Sequence, residues 1–442
     1  MSLQFITGNS GNGKTKYLFN RIVKEAKANP RDNYLVIVPE QFTMQTQRQL
    51  VDLSENKAIM NIDVLSFKRL AYRVFDELGI TNLTVLEETG KNLVLRKLAA
   101  HEADKLGVIG RNLNRIGYIS EVKSLLSELV QYNISPEELG RYIASGRLSD
   151  TLSDKLKDVL VLYEAFEKFM QDKYITAEEI LNVLSNVAEE SAILRNSVIA
   201  FDEFTGFTPI QNQLIKKLFV ISKKIYVTLT IDYREDIFKS RGMQELFDMP
   251  KRTVKSLTEM AAFYGIEVEE PIILDKNYRL AENEELSFME QQLFRKRRCS
   301  FKKVPKHIHI DCLRDPKQEL TKIARRINEL VRNENLRYRD IAIVTGDVNI
   351  YAGYVREIFD KYNIPYFIDA TQEILFHPFI EFIRSIPDIA AQNFSADAVF
   401  RFLRCGFSEL LDSEIDVLEN YVLACGVRGK SCLLYTSPSP RD

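Results

Sequence analysis

Gly8-Asn9-Ser10-Gly11-Asn12-Gly13-Lys14-Thr15 follows a short apolar run, Leu3-Gln4-Phe5-Ile6-Thr7, and opens a helical pattern at Leu18, Phe19, Ile22, Val23 and Ala26. Strand, glycine-rich turn and helix in that order match G-x-x-x-x-G-K-[ST] in the context that gives the pattern a mechanism. Gly8, Gly11 and Gly13 permit a positive-φ turn whose backbone N–H groups, those of Asn9, Ser10 and Asn12 among them, wrap a phosphate. The helix start adds partial positive charge. Lys14 then reaches the outer phosphates of ATP, and the Thr15 hydroxyl ligates Mg²⁺. The plainer alternative is a glycine turn with a solvated lysine.

A phosphate loop of this kind needs a carboxylate from a neighbouring strand to hold its metal. Ser197-Val198-Ile199-Ala200-Phe201-Asp202-Glu203 supplies one, an apolar run ending in two acids. Asp202 is expected to hold Mg²⁺ through water, and Glu203 to orient or deprotonate the attacking water. The same pair also reads as the acidic start of a helix. Gln211, in a helix expected over Ile210–Phe219, is either a γ-phosphate sensor or a solvated first-turn residue. Arg279, in Leu274-Asp275-Lys276-Asn277-Tyr278-Arg279, either touches the γ-phosphate across a domain cleft or forms a surface ion pair.

Further out, apolar runs rich in β-branched residues alternate with helical patterns, which argues for an α/β parallel sheet. Strands are expected at Leu3–Thr7, Tyr34–Val38, Ile59–Leu65, Ser197–Phe201 and Ile225–Ile231. The span from about Glu87 to Leu194 is helical by pattern and reads as an insertion, the best candidate for partner or duplex contacts. A first domain covers 1–290. A linker at 291–305 follows, with six basic residues and no acid in Phe294-Arg295-Lys296-Arg297-Arg298-Cys299-Ser300-Phe301-Lys302-Lys303. A second βαβ series, incomplete, covers 306–430, with strands at His307–Cys312, Ile341–Thr345 and Pro365–Ile368. Residues 431–442, ending Ser-Pro-Ser-Pro-Arg-Asp, read as a non-native or truncated tail.

Composition bounds the function classes. The 442 residues carry 60 Lys+Arg against 62 Asp+Glu, so any nucleic-acid contact falls to a local basic surface. With 45% hydrophobic and 28% charged residues the chain is an ordinary globular protein, not a disordered tail or disulfide scaffold. The five cysteines are scattered with no CxxC pair, which reads as reduced thiols in the cytoplasm. No apolar stretch approaches the roughly 20 residues of a membrane span, and the start lacks a secretory pattern.

These residues together resemble the superfamily 1 helicases, in which two such domains sandwich ATP. Val36-Ile37-Val38-Pro39-Glu40-Gln41-Phe42-Thr43-Met44-Gln45-Thr46-Gln47 and Val64-Leu65-Ser66-Phe67-Lys68-Arg69-Leu70-Ala71 bring the chain closer to the AddB family of bacterial AddAB helicase–nucleases. Tyr338-Arg339-Asp340-Ile341-Ala342-Ile343-Val344 and Tyr362-Asn363-Ile364-Pro365-Tyr366-Phe367-Ile368-Asp369 extend the resemblance. It implies two RecA-like P-loop domains with parallel sheets, the first carrying the helical insertion. It also implies ATP and Mg²⁺ as cofactors, an AddA-type motor/nuclease partner, and single- and double-stranded DNA as substrates in double-strand-break resection. The family's nuclease domain and iron–sulfur cluster belong to a C-terminal part that this chain lacks, so the chain reads as an N-terminal fragment.

Active members of the superfamily place Gly-Asp and a nearby Gln after a later strand. Val227-Thr228-Leu229-Thr230-Ile231-Asp232-Tyr233-Arg234 keeps the Asp alone, which implies a degenerate motor. Three functions therefore stand: a helicase-like subunit that binds ATP, an autonomous DNA-stimulated ATPase, and a non-enzymatic scaffold. For DNA, Gln41, Phe42, Ser66, Phe67, Lys68 and Arg69 are the candidates, with Arg297 and Arg298 beside them. Phe42 and Phe67 read equally well as core, and the 294–303 run as a solvated linker.

Overall fold

Successive residues of a strand face opposite ways, and the five apolar runs near the start and middle of the chain use this to build two cores on one sheet. The computed structural model describes all residues except 82–83, 109–115, 146–147, 172–173, 296–298, 370–373 and 436–442, and the side chains of 116 and 433–435. In the first unit, Met1–His309, the strands are β1 (Ser2–Gly8), β2 (Tyr34–Ile37), β3 (Ile62–Leu65), β6 (Val198–Phe201) and β7 (Lys224–Thr230). They run β3-β2-β6-β7-β1, every pair parallel, and the short β8 (Glu267–Val268) and β9 (Ile272–Leu274) both pair with β1. β3 starts at Ile62, later than the run beginning at Ile59 suggested.

Phe5, Leu35, Ile37, Ile199, Phe201, Val227 and Leu229 face one core, and Ile6, Tyr34, Val36, Val198, Ala200 and Tyr226 the other. α1 (Lys14–Ala28) and α2 (Thr43–Leu53) cover the second face through Leu18, Phe19, Ile22 and Leu50. α3 (Phe67–Leu78), α8 (Ile180–Val187), α9 (Pro209–Ile221) and α10 (Asp248–Phe263) cover the first. Each fully buried large apolar side chain contributes about 1.5–3 kcal/mol, and burial on both faces is what permits strands apolar at nearly every position.

The helical insertion is α4 (Glu88–His101), α5 (Ile116–Gln131), α6 (Pro136–Ala144) and α7 (Asp150–Met170), around Leu95, Leu126, Leu139, Leu162 and Phe166. It hangs from a two-residue parallel ladder, β4 (Val85–Leu86) with β5 (Ile175–Thr176). α8 rejoins the main core, so the self-contained helical part ends near β5 and short of residue 194. Inside it Lys91, 2% exposed, is held by Glu178 at 2.7 Å and Glu88 at 2.8 Å, the pairing a buried ammonium requires.

The described part of the 291–305 linker packs on the first unit. Phe301 meets the Phe288 ring of α11 (Glu284–Gln292), and Glu285 accepts from the N–H groups of Lys306 and His307.

In the second unit, Ile310–Asp442, the structure departs from expectation. The strands read at 307–312, 341–345 and 365–368 join no ladder among the described residues. A strand needs a hydrogen-bonding neighbour, and without one Ile310, Val344 and Phe367 stay about nine-tenths exposed. What does form is a small core between α12 (Pro316–Asn333) and α13 (Val348–Lys361), through Leu320, Ala324, Ile327, Ile358 and Phe359. Part of the expected tail has local structure. Gly429–Tyr435 is helical, with Lys430 N–H on the Asn393 carbonyl and Cys432 against the cluster of Phe400, Ile415 and Val422.

Candidate nucleotide site

Parallel strands leave a crevice outside their carboxyl ends, and there β1, β6 and β7 deliver Gly8, Asp202 and Asp232. A cavity of about 800 Å³ in this crevice is lined by Gly11, Gly13, Lys14, Thr15, Asp202, Glu203, Thr228 and Arg279, with Phe42, Gln45 and Gln49 on the α2 side. Lys14 and Asp202, 188 residues apart in the chain, therefore share one cavity.

The loop's glycines are required by their surroundings. A Cβ on Gly8 would stand 2.6 Å from the Leu274 carbonyl oxygen. On Gly11, at φ +89°, it would stand 2.7 Å from Asn277 Oδ1. The segment after β9 is thus laid over the loop: Asn12 Nδ2 donates to the Leu274 carbonyl at 2.5 Å, Asn277 Nδ2 to the Ser10 carbonyl at 2.9 Å, and Tyr278 N–H to the Gly11 carbonyl at 3.0 Å. Lys14 Nζ donates to the carbonyls of Gly8 and Asn9 at 3.1 and 3.0 Å. Burial holds its ammonium below the usual lysine range, against the pull of Glu203 and Asp202.

Asp202 is 1% exposed, and burial pushes its carboxyl upward. Thr228 Oγ1, on the strand between β1 and β6, donates to Oδ1, while buried Oδ2 has no partner among the described residues. A buried oxygen without a donor calls for a missing ligand, and a hydrated Mg²⁺ beside Thr15 fits that donor set. Thr15 Oγ1 lies 3.4 Å from Glu203 Oε1.

Glu203 itself takes a left-handed backbone, φ 63°, a conformation that costs a side-chain-bearing residue about 1–2 kcal/mol. Strain of this kind persists where a site needs it. Glu203→Gly is expected to raise the thermal midpoint by about 2 °C. Glu203→Ala, which keeps the strained backbone, gains nothing. Equal midpoints for the two variants in a melting experiment would show that no strain is held there.

Of the two remaining candidates, one stands elsewhere. Gln211 is the fourth residue of a capping box: its Oε1 accepts from Thr208 N–H at 2.9 Å and Thr208 Oγ1 accepts from Gln211 N–H, so its amide holds the start of α9 and lines no part of the cavity. Arg279 does line the cavity, with Nη1 at 3.4 Å from Ser10 Oγ, but it belongs to the first unit.

Among the DNA candidates, Phe67 is core: it is 7% exposed, stacked on Phe201 at 5.8 Å and edge-on to Phe204 at 5.5 Å. Ser66 caps α3 and donates to Glu40 Oε2, whose other oxygen accepts from Arg69 Nε at 3.1 Å. Phe42 is half-buried, and Gln41 and Lys68 are exposed. Arg297 and Arg298 lie outside the described residues. Thr228, Asn277 and the Glu40 bridge were missed from sequence. Thr228 had a signal, a threonine in the middle of a buried strand, but Asn277 had none.

The family model described as "ADDB, N-terminal" matches residues 5–290. The chain belongs to that family. Similar curated proteins include the B-subunit of the ATP-dependent helicase/deoxyribonuclease of Lachnoclostridium phytofermentans, 39% identical over 97% of this chain and 38% of the relative. Its counterparts in Clostridium tetani and Clostridium acetobutylicum are 34% and 35% identical, again over 97% of this chain and 38% and 37% of the relatives. The chain thus spans under two-fifths of the length of these relatives. Among the described residues no helix is long and apolar enough to cross a membrane.

Proposed function

We propose that this chain is the ATP-binding, helicase-like part of a subunit that works with an AddA-type motor/nuclease partner in the cytoplasm, resecting double-stranded DNA ends for recombinational repair. Its first unit is read as a RecA-like P-loop domain. The observation that carries the reading is the shared cavity of Lys14, Thr15 and Asp202, with the Asp202 Oδ2 atom buried and unpartnered. The relatives' shared name, which makes each of them one part of an ATP-dependent helicase/deoxyribonuclease, supports the assignment to such a complex.

The Gly8–Thr15 loop would take the triphosphate on its backbone N–H groups, and Lys14 would leave the Gly8 and Asn9 carbonyls for phosphate oxygens. Thr15 and Asp202 would hold Mg²⁺, which when bound neutralises charge on the phosphates. Glu203, across from Thr15, would orient a water. Asp232 is fully engaged by Arg234 and Arg295, which supports a motor whose later strand no longer serves the nucleotide.

Titration of a fluorescent ATP analogue into the intact chain tests the reading. Removing Mg²⁺ with EDTA is expected to weaken binding about tenfold or more, and Asp202→Asn to erase that dependence. Binding indifferent to Mg²⁺ in the unaltered chain would remove Asp202 from the site.

A further inference from the structure

Asn9, the second residue of the glycine-rich loop, is 2% exposed, and both ends of its amide are engaged. Nδ2 donates to Glu290 Oε1 at 2.7 Å, and Oδ1 accepts from Tyr233 N–H at 3.1 Å. Its own carbonyl accepts from Lys14 Nζ. One buried side chain therefore joins the loop, the turn after β7 and the last turn of α11.

That end of α11 is itself fixed. Arg234 Nη2 donates to the Gln291 carbonyl at 3.1 Å, and Arg295, just past the helix, is paired with Asp232 at 2.9 Å. Glu290 is thus delivered to Asn9 from a braced support. Its charge has the wrong sign for a neighbour of an anion site, since a carboxylate next to the loop opposes a triphosphate. What it offers instead is a charge-assisted acceptor for an amide that is otherwise shut away from water.

We infer that Glu290 is a positioning residue for the nucleotide. Through Asn9 it sets the Gly8–Asn9 carbonyls between which Lys14 rests, and so the geometry the loop presents to phosphate. The inference rests on the ATP-binding reading. It adds a residue 281 positions from Asn9, on the helix that precedes the second unit in the chain.

The test is titration of N-methylanthraniloyl-ATP into the full chain and three variants, with thermal midpoints recorded alongside. Glu290→Ala leaves Asn9 Nδ2 without its acceptor and is expected to weaken binding about fivefold to tenfold. Glu290→Gln keeps an acceptor oxygen and removes the opposing charge, so it is expected to bind as tightly as the unaltered chain or tighter. A purely structural role would not separate the two variants in affinity at temperatures where both are folded. Glu290→Ala binding within twofold of the unaltered chain, or Glu290→Gln binding as weakly as Glu290→Ala, overturns the positioning role. Lys14→Ala separates the levels. If it abolishes binding while the Glu290 variants change nothing, only this inference fails. If the unaltered chain binds no analogue, the ATP reading fails and this inference with it.

Discussion

With Lys14 replaced by alanine, ATP affinity is expected to fall by at least about a hundredfold, roughly 3 kcal/mol, while the fold persists. The size follows from where Nζ sits. It is half-buried against the carbonyls of Gly8 and Asn9, with the charges of Glu203, Asp202 and Arg279 acting on it. A phosphate arriving there gains a desolvated cation, and truncation leaves that anion facing two carboxylates. The fold persists because burial already opposes the charged lysine, so its removal relieves a desolvation penalty as it deletes two hydrogen bonds. Lys14→Arg is expected to fail as well, since a planar guanidinium cannot take the place of one small ammonium held about 3 Å from both carbonyls. Saturating MgATP should raise the thermal midpoint of the unaltered chain and leave the alanine variant unmoved. An equal ligand-induced shift in both would place the nucleotide elsewhere.

What was legible in the sequence was local. The strand–turn–helix around Gly8–Thr15 announces itself because the glycines, the apolar run and the helical spacing all lie within about 25 residues and agree. Asp202 could be read because an apolar run that ends in an acid places that acid at a strand's carboxyl end. Gln211 reads two ways, as a phosphate sensor or a first-turn residue, although a signal for the helix start is present: Thr208-Pro209-Ile210-Gln211 has the hydroxyl, the proline and the amide of a capping box in register. Phe67 was undecidable, because whether it stacks on a base or a neighbour depends on Phe201, Phe204 and Phe207, more than 130 residues on. The second unit misled for the same reason. The short apolar runs at 341–345 and 365–368 state a preference for burial, while a strand exists only when another backbone arrives to pair with it.

Replacing Asp232 by alanine is expected to cost about 3 kcal/mol in urea unfolding with the slope unchanged. Asp232 is 1% exposed and takes a two-pronged contact from Arg234, at 2.9 and 2.6 Å, and a third and fourth from Arg295, at 3.1 and 2.9 Å. Arg295 is further held over the Phe247 ring, 4.8 Å from its centroid, with Nη1 buried and without a partner among the described residues. It cannot swing to water without losing that packing, so deleting the carboxylate strands a buried guanidinium. Arg234 is more exposed and recovers hydration, which keeps the loss toward the lower end of the range for broken buried pairs. A double variant, Asp232→Ala with Arg295→Met, should therefore lose less than the sum of its parts. The pH dependence has a definite sign. Burial works to raise the Asp232 carboxyl, but the Arg234 hydrogen bonds and the charges of both arginines outweigh it and bring it from 3.8 down to about 2. A carboxyl lowered on folding stabilises above its unfolded value and loses that contribution as pH falls, here between about 4 and 2. The stability gap between the unaltered chain and Asp232→Asn should thus narrow by about 2 kcal/mol across that window. A gap that stays constant from pH 5 to pH 2.5 would mean that the arginines do not hold this carboxylate ionised, and the brace behind Glu290 would lose its physical basis.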